Sequence, residues 1–328
     1  MIPVPLSILD RSALRQGQSA SRALTDTVRF AQQAEALGYH RFWVSEHHGV
    51  PGIAGSAPTV LAARIAAATS TIRMGTGGVM LPNHRPLVVA EQLGVLEALF
   101  PGRIDAGLGR SVGFTSGVRR ALGHGKEDAD DFGAQLSELL GYFTATQGAH
   151  PGVHAMPAEG LRPRPFVLAV GSGHREAAEQ GLPLVIAPAR GTDRMIAAIG
   201  EYRAAFRPSV WAEEPYVMIA LPVAVAETTA AAQRMLLSEG WSTARSRTTG
   251  AFGPLWPAAD VIAAEATERE AGYLADANRS AVFGTAGEVE KELSTLVESS
   301  GVQELLITMN TFDRDEMLDS YRRLSLLR

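Results

Sequence analysis

Short apolar runs of strand type alternate with longer runs of helical periodicity along almost the whole chain, and this rhythm constrains the fold more than any other feature. Val4–Leu9 is apolar and ends in an Asp-Arg-Ser turn. Ala20–Leu37 places Leu24, Val28, Ala31, Ala34 and Leu37 at helical spacing and stops at Gly38, a residue type favoured just past a helix end. Arg41–Val44, Ile72–Gly75 and Arg103–Leu108 read as the next three strands. Between them lie helical patterns over Pro58–Thr69 and Pro86–Leu99, each opened by a proline, which the first helical position tolerates because its missing N–H would have no partner there. Four strands, each followed by a helix, make a repeating βα unit, and right-handed crossovers then give a parallel sheet.

The rhythm lapses from Gly109 to Pro165, where glycines, prolines and one helix over Asp131–Thr144 replace the next unit. It resumes with strand Phe166–Val170, a helix through Gln180, strand Leu184–Ile186, helix Asp193–Phe206, strand Tyr216–Val225 and helix Thr228–Glu239. A second irregular stretch follows, and the chain finishes with helix Ala286–Ser299, strand Glu304–Met309 and helix Asp315–Leu326. Eight parallel strands with helices between them predict an α/β fold of the (β/α)8 barrel type over residues 1–328, as one domain. Insertions are expected after strand 4, at about 109–165, and after strand 7, at about 240–281. An open doubly wound sheet is the alternative arrangement of the same elements.

Composition narrows the partners. A net charge of -5 and a pI near 5.9 argue against a polyanion, since phosphate backbones are held by clustered Lys and Arg. The nearest basic cluster, RPRP at 162–165, is too short to track a nucleic acid. The chain has no cysteine, which removes disulfides, thiolate nucleophiles and Cys-based zinc sites together. The N-terminal MIPVPLSILDRS lacks the basic-then-apolar order of a signal peptide, and no segment has the apolar length of a membrane span. The expectation is a cytoplasmic protein with neither nucleic-acid nor membrane partners.

In a (β/α)8 barrel, chemistry sits at the C-terminal ends of the strands. Strand 2 ends in Ser45-Glu46-His47-His48, and strands 3, 4 and 5 end in glycine-rich turns: GTGG at 75–78, GLGRS at 107–111 and GSGH at 171–174. Neither GLGRSVG nor GSGHRE has the spacing of the dinucleotide fingerprint, and GHGKEDAD is not a Walker A loop. Glycines at three strand ends instead suit close approach of a ligand to backbone. Adjacent residues on an extended chain point to opposite sides, so His47 and His48 are not expected to share a metal, and no metal site is expected here. An imidazole at the mouth is suited to acid/base work near neutral pH; the alternative is a histidine satisfied by backbone and by a carboxylate such as Glu46. Arg110, directly after strand 4, is placed to meet a phosphate, whereas Arg119 reads as a surface residue. Asp105, within strand 4, reads as a wall residue paired with Arg103 or Arg73.

VPLSILDRS, AEALGYHRFWVSEHH, TSTIRMGTGGVMLPNHRPLVVAEQLGVLEALFPGRIDAGLGR, GLPLVIA and SGVQELLIT together resemble the bacterial luciferase-like flavin monooxygenases, in their single-chain, alkanal-monooxygenase-like branch. The resemblance covers nearly the whole chain and implies the same barrel. It implies that His47 is the active-site histidine beside the flavin. A non-proline cis peptide would fall at Gly77-Gly78, where backbone would touch the ring, and Arg110 and Arg120 would approach the flavin phosphate. Gly109 falls where luciferase carries a cysteine near the flavin. The phosphate loop departs from the family pattern: it is the shortened AVGSGHREAA, in which Ser172 and Gly173 would contact the cofactor and His174 and Arg175 would supply compensating charge.

The implied activity is an FMN-dependent monooxygenase. Reduced FMN from a separate flavin reductase would react with O2 to a flavin C4a-peroxide, which passes one oxygen atom to a small organic substrate. His47 would be its acid/base group and the insertion at 109–165 a lid. A homodimer through outer helices is expected, from the alanine-rich face of Pro58–Thr69 and the apolar face of Leu87–Leu99. The alternatives are a deazaflavin (F420)-dependent oxidoreductase, or a non-catalytic flavin-binding protein on the same barrel.

Overall fold

The computed structural model describes residues 1–113, 115–169 and 173–328. Eight parallel strands form its centre: β1 Leu6–Asp10, β2 Arg41–Val44, β3 Arg73–Thr76, β4 Ile104–Gly109, β5 Arg164–Ala169, β6 Leu184–Ile186, β7 Val217–Leu221 and β8 Glu304–Ile307. The order runs β3-β2-β1-β8-β7-β6-β5-β4, and β4 returns to β3 through Met74–Ile104 and Gly75–Asp105, closing the barrel. The open doubly wound sheet is thereby excluded. A two-residue piece, Val79–Met80, carries β3 past the cis peptide Gly77-Gly78 and pairs with Leu108 and Gly109.

Alternation along each strand sorts the core into two shells. Outward residues such as Ile8, Phe42, Val44, Leu108, Val167 and Leu305 pack beneath the helices in one large cluster. Inward residues Leu9, Trp43, Phe166, Val185, Met218 and Leu306 make a separate cluster inside the barrel. The N-terminal end is closed by charge. Buried Arg41 lies 2.8 Å from Asp105 and 3.0 Å from Glu304, which also accepts from the Ser7 and Tyr216 hydroxyls. Asp105 pairs with Arg73 at 2.6 Å, while Arg103 donates to Thr69 and to the Ile72 carbonyl. Of the two partners expected for Asp105, the barrel selects Arg73 and adds Arg41. Each carboxylate meets more than one donor, which offsets the cost of burying its charge. With this end plugged, the open end is the C-terminal one.

Three regions differ from the sequence reading by more than the end residues of an element. The run Tyr216–Val225 splits at Pro222 into β7 and a second piece, Val223–Val225, which leaves the barrel to pair with Val282–Gly284. Proline has no N–H to give the ladder, so its carbonyl accepts from Val282 while the barrel strand ends before it. The helix expected over Thr228–Glu239 is two helices, Thr229–Met235 and Leu237–Thr249. The second crosses into the later insertion, where Ser238 and Ser242 hydroxyls bind the carbonyls of Trp256 and Gly253. In the first insertion a further helix, Ser116–Leu122, is capped by Thr115 and ended by left-handed Gly123. Helix Phe132–Thr144 buries Phe132, Leu136, Leu139 and Tyr142 and serves as the ordinary helix after β4, so the true excursion is 110–131.

Candidate active site

A cavity of about 780 Å³ opens at the C-terminal ends of the strands. Arg11 reaches it from β1, Glu46, His47 and His48 from β2, Met80 from the continuation of β3, Arg110–Gly113 from β4 and Leu168 from β5. Arg119 of the first insertion and Thr243, Ser246 and Phe252 of the second complete its wall.

The two histidines of SEHH make different contacts. His47 Nδ1 lies 3.0 Å from the Ser45 hydroxyl, and its backbone N–H donates to Gly55. Burial, assisted by the positive charge of Arg11, pulls the His47 imidazole down from 6.5 to about 4, so it is neutral at pH 7. His48 turns instead to Glu46, with Nε2 2.8 Å from Oε1. His84 arrives from the turn before helix Pro86–Leu99 and places its Nε2 2.9 Å from the same Oε1 and 3.0 Å from Oε2. Burial works to raise the Glu46 carboxyl, but hydrogen bonds from His84, His48 and the Met80 N–H outweigh it and hold Glu46 below the usual carboxylate range. No metal site is expected at SEHH from the sequence; in the fold Glu46, His48 and His84 converge, with ligand atoms within 4.8 Å of one another. His84 lies 38 residues from Glu46 in sequence, and nothing in the local spacing announces it.

Three arginines line the cavity. Arg110 donates to the Ala129 carbonyl at 3.0 Å and to Asp130 at 3.0 Å, and lies 3.9 Å from Glu176. Arg119 donates to the Gly113 carbonyl at 2.8 Å and faces the cavity, whereas Arg120 is exposed and does not line it. The sequence reading has Arg119 at the surface and Arg120 at the cofactor; the fold puts Arg119, not Arg120, on the cavity lining. On helix Ser116–Leu122 adjacent side chains point about 100° apart, so one of two neighbouring arginines faces inward. Arg11, which the sequence places in a turn, is half-buried and ion-paired with Glu239 of helix Leu237–Thr249, and Glu239 also accepts from the Asn310 N–H at 3.1 Å. Burial pulls the Arg11 guanidinium below its usual range.

The glycines divide by what surrounds them. A Cβ on Gly77 would come within 2.4 Å of Leu9 Cδ1, and one on Gly78 within 2.8 Å of the Gly107 carbonyl, so both sit tight in the barrel wall and neither lines the cavity. Among the described residues, a Cβ on Gly109 would have only the Val79 carbonyl near, at 3.8 Å. Gly173 begins the short helix Gly173–Glu179 and is buried away from the cavity lining. Ser172 lies outside the described residues. His174 lies 3.0 Å and Arg175 3.5 Å from Glu201.

The cavity suits a flavin-type cofactor that carries a phosphate. Its volume is within the range of cofactor sites, Val50, Ile53, Met80, Leu168 and Phe252 offer an apolar wall for a flat ring, and Arg110, Arg119 and Ser111 supply donors for a phosphate.

A model of the luciferase-like monooxygenase family matches residues 4–308. A luciferase-like monooxygenase of Escherichia coli (strain K12) is 34% identical over 322 residues, 97% of this chain and 95% of that one. An N-acetyl-S-alkylcysteine monooxygenase of Bacillus subtilis (strain 168) is 44% identical over 165 residues, half of this chain and 48% of that one. Among solved structures, apo-MsnO8 superposes with a TM-score of 0.85 at 32% identity, covering 99% of this chain and 97% of that one. The fold is also shared at lower identity by the FMN complex of the oxygenating constituent of 3,6-diketocamphane monooxygenase from Pseudomonas putida (TM-score 0.74, 18% identity, 98% and 96% covered). An F420-dependent secondary alcohol dehydrogenase shares it too (TM-score 0.71, 14% identity, 98% of each chain). With the family match running through nearly the whole barrel, the chain belongs to the luciferase-like monooxygenase family of oxidoreductases.

Proposed function

We propose that this chain is an FMN-dependent monooxygenase that uses reduced FMN, delivered by a separate reductase, and O2 to place one oxygen atom on a small organic substrate. The observation behind this reading is a half-buried, neutral imidazole, His47, on the wall of a cavity whose rim carries Arg110 and Arg119. Reduced FMN, when bound, supplies the electrons that activate O2; the protein contributes position, dryness and proton placement. Arg110 and Arg119 would hold the phosphate by charge-assisted hydrogen bonds, with Arg110 exchanging its contact to exposed Asp130 for it. Gly109 leaves backbone open to close approach, and Gly77 and Gly78 shape the wall behind it.

His47 has one ring nitrogen engaged by Ser45, so the other is available to a group in the cavity. Being neutral at pH 7, it can accept a proton there or hold a hydrogen bond without introducing charge. Segment 110–131 and helix Leu237–Thr249 border the cavity and would keep water from it. A homodimer belongs to the same reading: Val60, Val88, Val95 and Leu99 stand exposed on the neighbouring outer helices Pro58–Ala66 and Pro86–Leu99. Light scattering at a range of concentrations tests it.

The cofactor is tested by titrating the protein with FMN, reduced FMN and F420 by fluorescence, then following oxygen uptake with a flavin reductase present. Preference for reduced FMN with substrate-dependent oxygen uptake is expected. Preference for F420 would move the reading to hydride transfer, and flavin binding with no oxygen uptake would overturn the oxygenase assignment.

A further inference from the structure

The proposed oxygen chemistry uses His47 but leaves Glu46, His48 and His84 without a task. Among the described residues these form the one group of three that could ligate a metal ion, and their ligand atoms all lie within 4.8 Å of one another. The Glu46 side chain is fully buried, while those of His48 and His84 are 21% and 32% exposed, so the carboxylate is fixed and the site can be reached from solvent. We propose that Glu46, His48 and His84 form a binding site for a divalent first-row transition-metal ion, with copper(II) and nickel(II) the best fit.

The geometry selects the ion. His48 Nε2 and His84 Nε2 lie 2.8 and 2.9 Å from one oxygen, Glu46 Oε1. With metal–ligand bonds of about 2.0–2.1 Å, such spacings subtend about 90° at an ion, whereas a tetrahedral zinc site would need about 3.4 Å. The two imidazole centroids are 6.4 Å apart. Two rings on opposite sides of one ion would stand at about that separation with the same bond lengths. A carboxylate oxygen at right angles to two opposed imidazoles is a tetragonal N,O arrangement, the preference of copper(II) and nickel(II), with water in the remaining positions. Each neutral imidazole would turn its Nε2 lone pair to the ion and keep its proton on Nδ1, so two N–H···O bonds are exchanged for two metal–nitrogen bonds. The Met80 N–H stays on the second carboxylate oxygen at 3.1 Å and keeps Glu46 in place.

Without an ion, the same distances describe two rings donating to one carboxylate, and glutamine variants separate the two cases. Glutamine can still donate an N–H to Glu46 from near the Nε2 position but is a poor metal ligand. The untagged full-length chain, free of flavin, is titrated with copper(II) sulfate and with nickel(II) chloride by calorimetry, and the copper form is examined by electron paramagnetic resonance. The wild type is expected to take up one equivalent with coupling to two nitrogens. His84→Gln and His48→Gln should each keep the melting temperature within a few degrees, bind at least tenfold more weakly and show one nitrogen. His124→Gln, a lone histidine beside Asp128, should bind as the wild type does. Absence of a stoichiometric site in the wild type, unchanged affinity in both glutamine variants, or loss of binding in His124→Gln would overturn the proposal. The readout involves no flavin, so its failure is distinct from failure of the oxygenase reading.

Discussion

The Ser45 hydroxyl lies 3.0 Å from Nδ1 of His47, just past the end of β2, and fixes one side of a ring that lines the cavity. One hydrogen bond of this kind is worth about 1 kcal/mol, enough to set which nitrogen faces the ligand. Ser45→Ala is expected to lower kcat/KM for coupled oxidation by about tenfold with little change in flavin affinity. His47→Ala should cost a further ten- to hundredfold, within the range of a lost acid/base group, under saturating reduced FMN. Product formed per O2 consumed is the measurement. Unchanged coupling in His47→Ala would remove its proposed role.

The pH dependence of stability carries the same residue. His47 is held at about 4 in the folded chain against 6.5 when unfolded, so the unfolded state binds the proton first. The contribution is fully present above pH 6.5 and is lost as pH falls from 6.5 through about 4, an effect of roughly 3 kcal/mol. His47→Gln should flatten the urea-midpoint profile across that window and leave it unchanged above pH 7. A wild-type slope retained by the variant would assign the acid sensitivity elsewhere.

Neighbouring arginines should behave unequally. Arg119→Ala is expected to weaken FMN binding by ten- to a hundredfold while leaving riboflavin, which lacks the phosphate, nearly unaffected. Arg120→Ala, on the exposed side of the same helix, should change neither. Fluorescence titration with both flavins decides it, and equal losses in the two variants would contradict the placement.

Two glycines of β4 offer a contrast between packing and approach. A Cβ on Gly107 would lie 1.9 Å from the Thr76 carbonyl oxygen, which is backbone and cannot swing aside. Gly107→Ala is expected to destabilise by about 3 kcal/mol or to prevent folding. On Gly109 the nearest atom among the described residues is 3.8 Å away, so Gly109→Ala should leave thermal stability within about 0.5 kcal/mol and lower flavin affinity if the ring approaches there. Stable Gly107→Ala protein would show that the β3–β4 contact can relax.

What the sequence determined by itself is local. Strands β2 and β6 and helix Pro86–Leu99 have the boundaries read from periodicity, because a two-residue alternation or a 3.6-residue stripe is written in adjacent residues. The end of β2 also marked where a cavity would lie, and His47 sits on its wall. Closure of the barrel decided the rest. It brought His84 across 38 residues to Glu46, Glu239 of helix Leu237–Thr249 to Arg11, and Arg41 and Arg73 to Asp105. It also turned Arg119 inward where Arg120 was expected. Periodicity states which face of an element is apolar but not which strand end will stand opposite another. That depends on register around a closed sheet, and register is fixed only when all eight strands have paired.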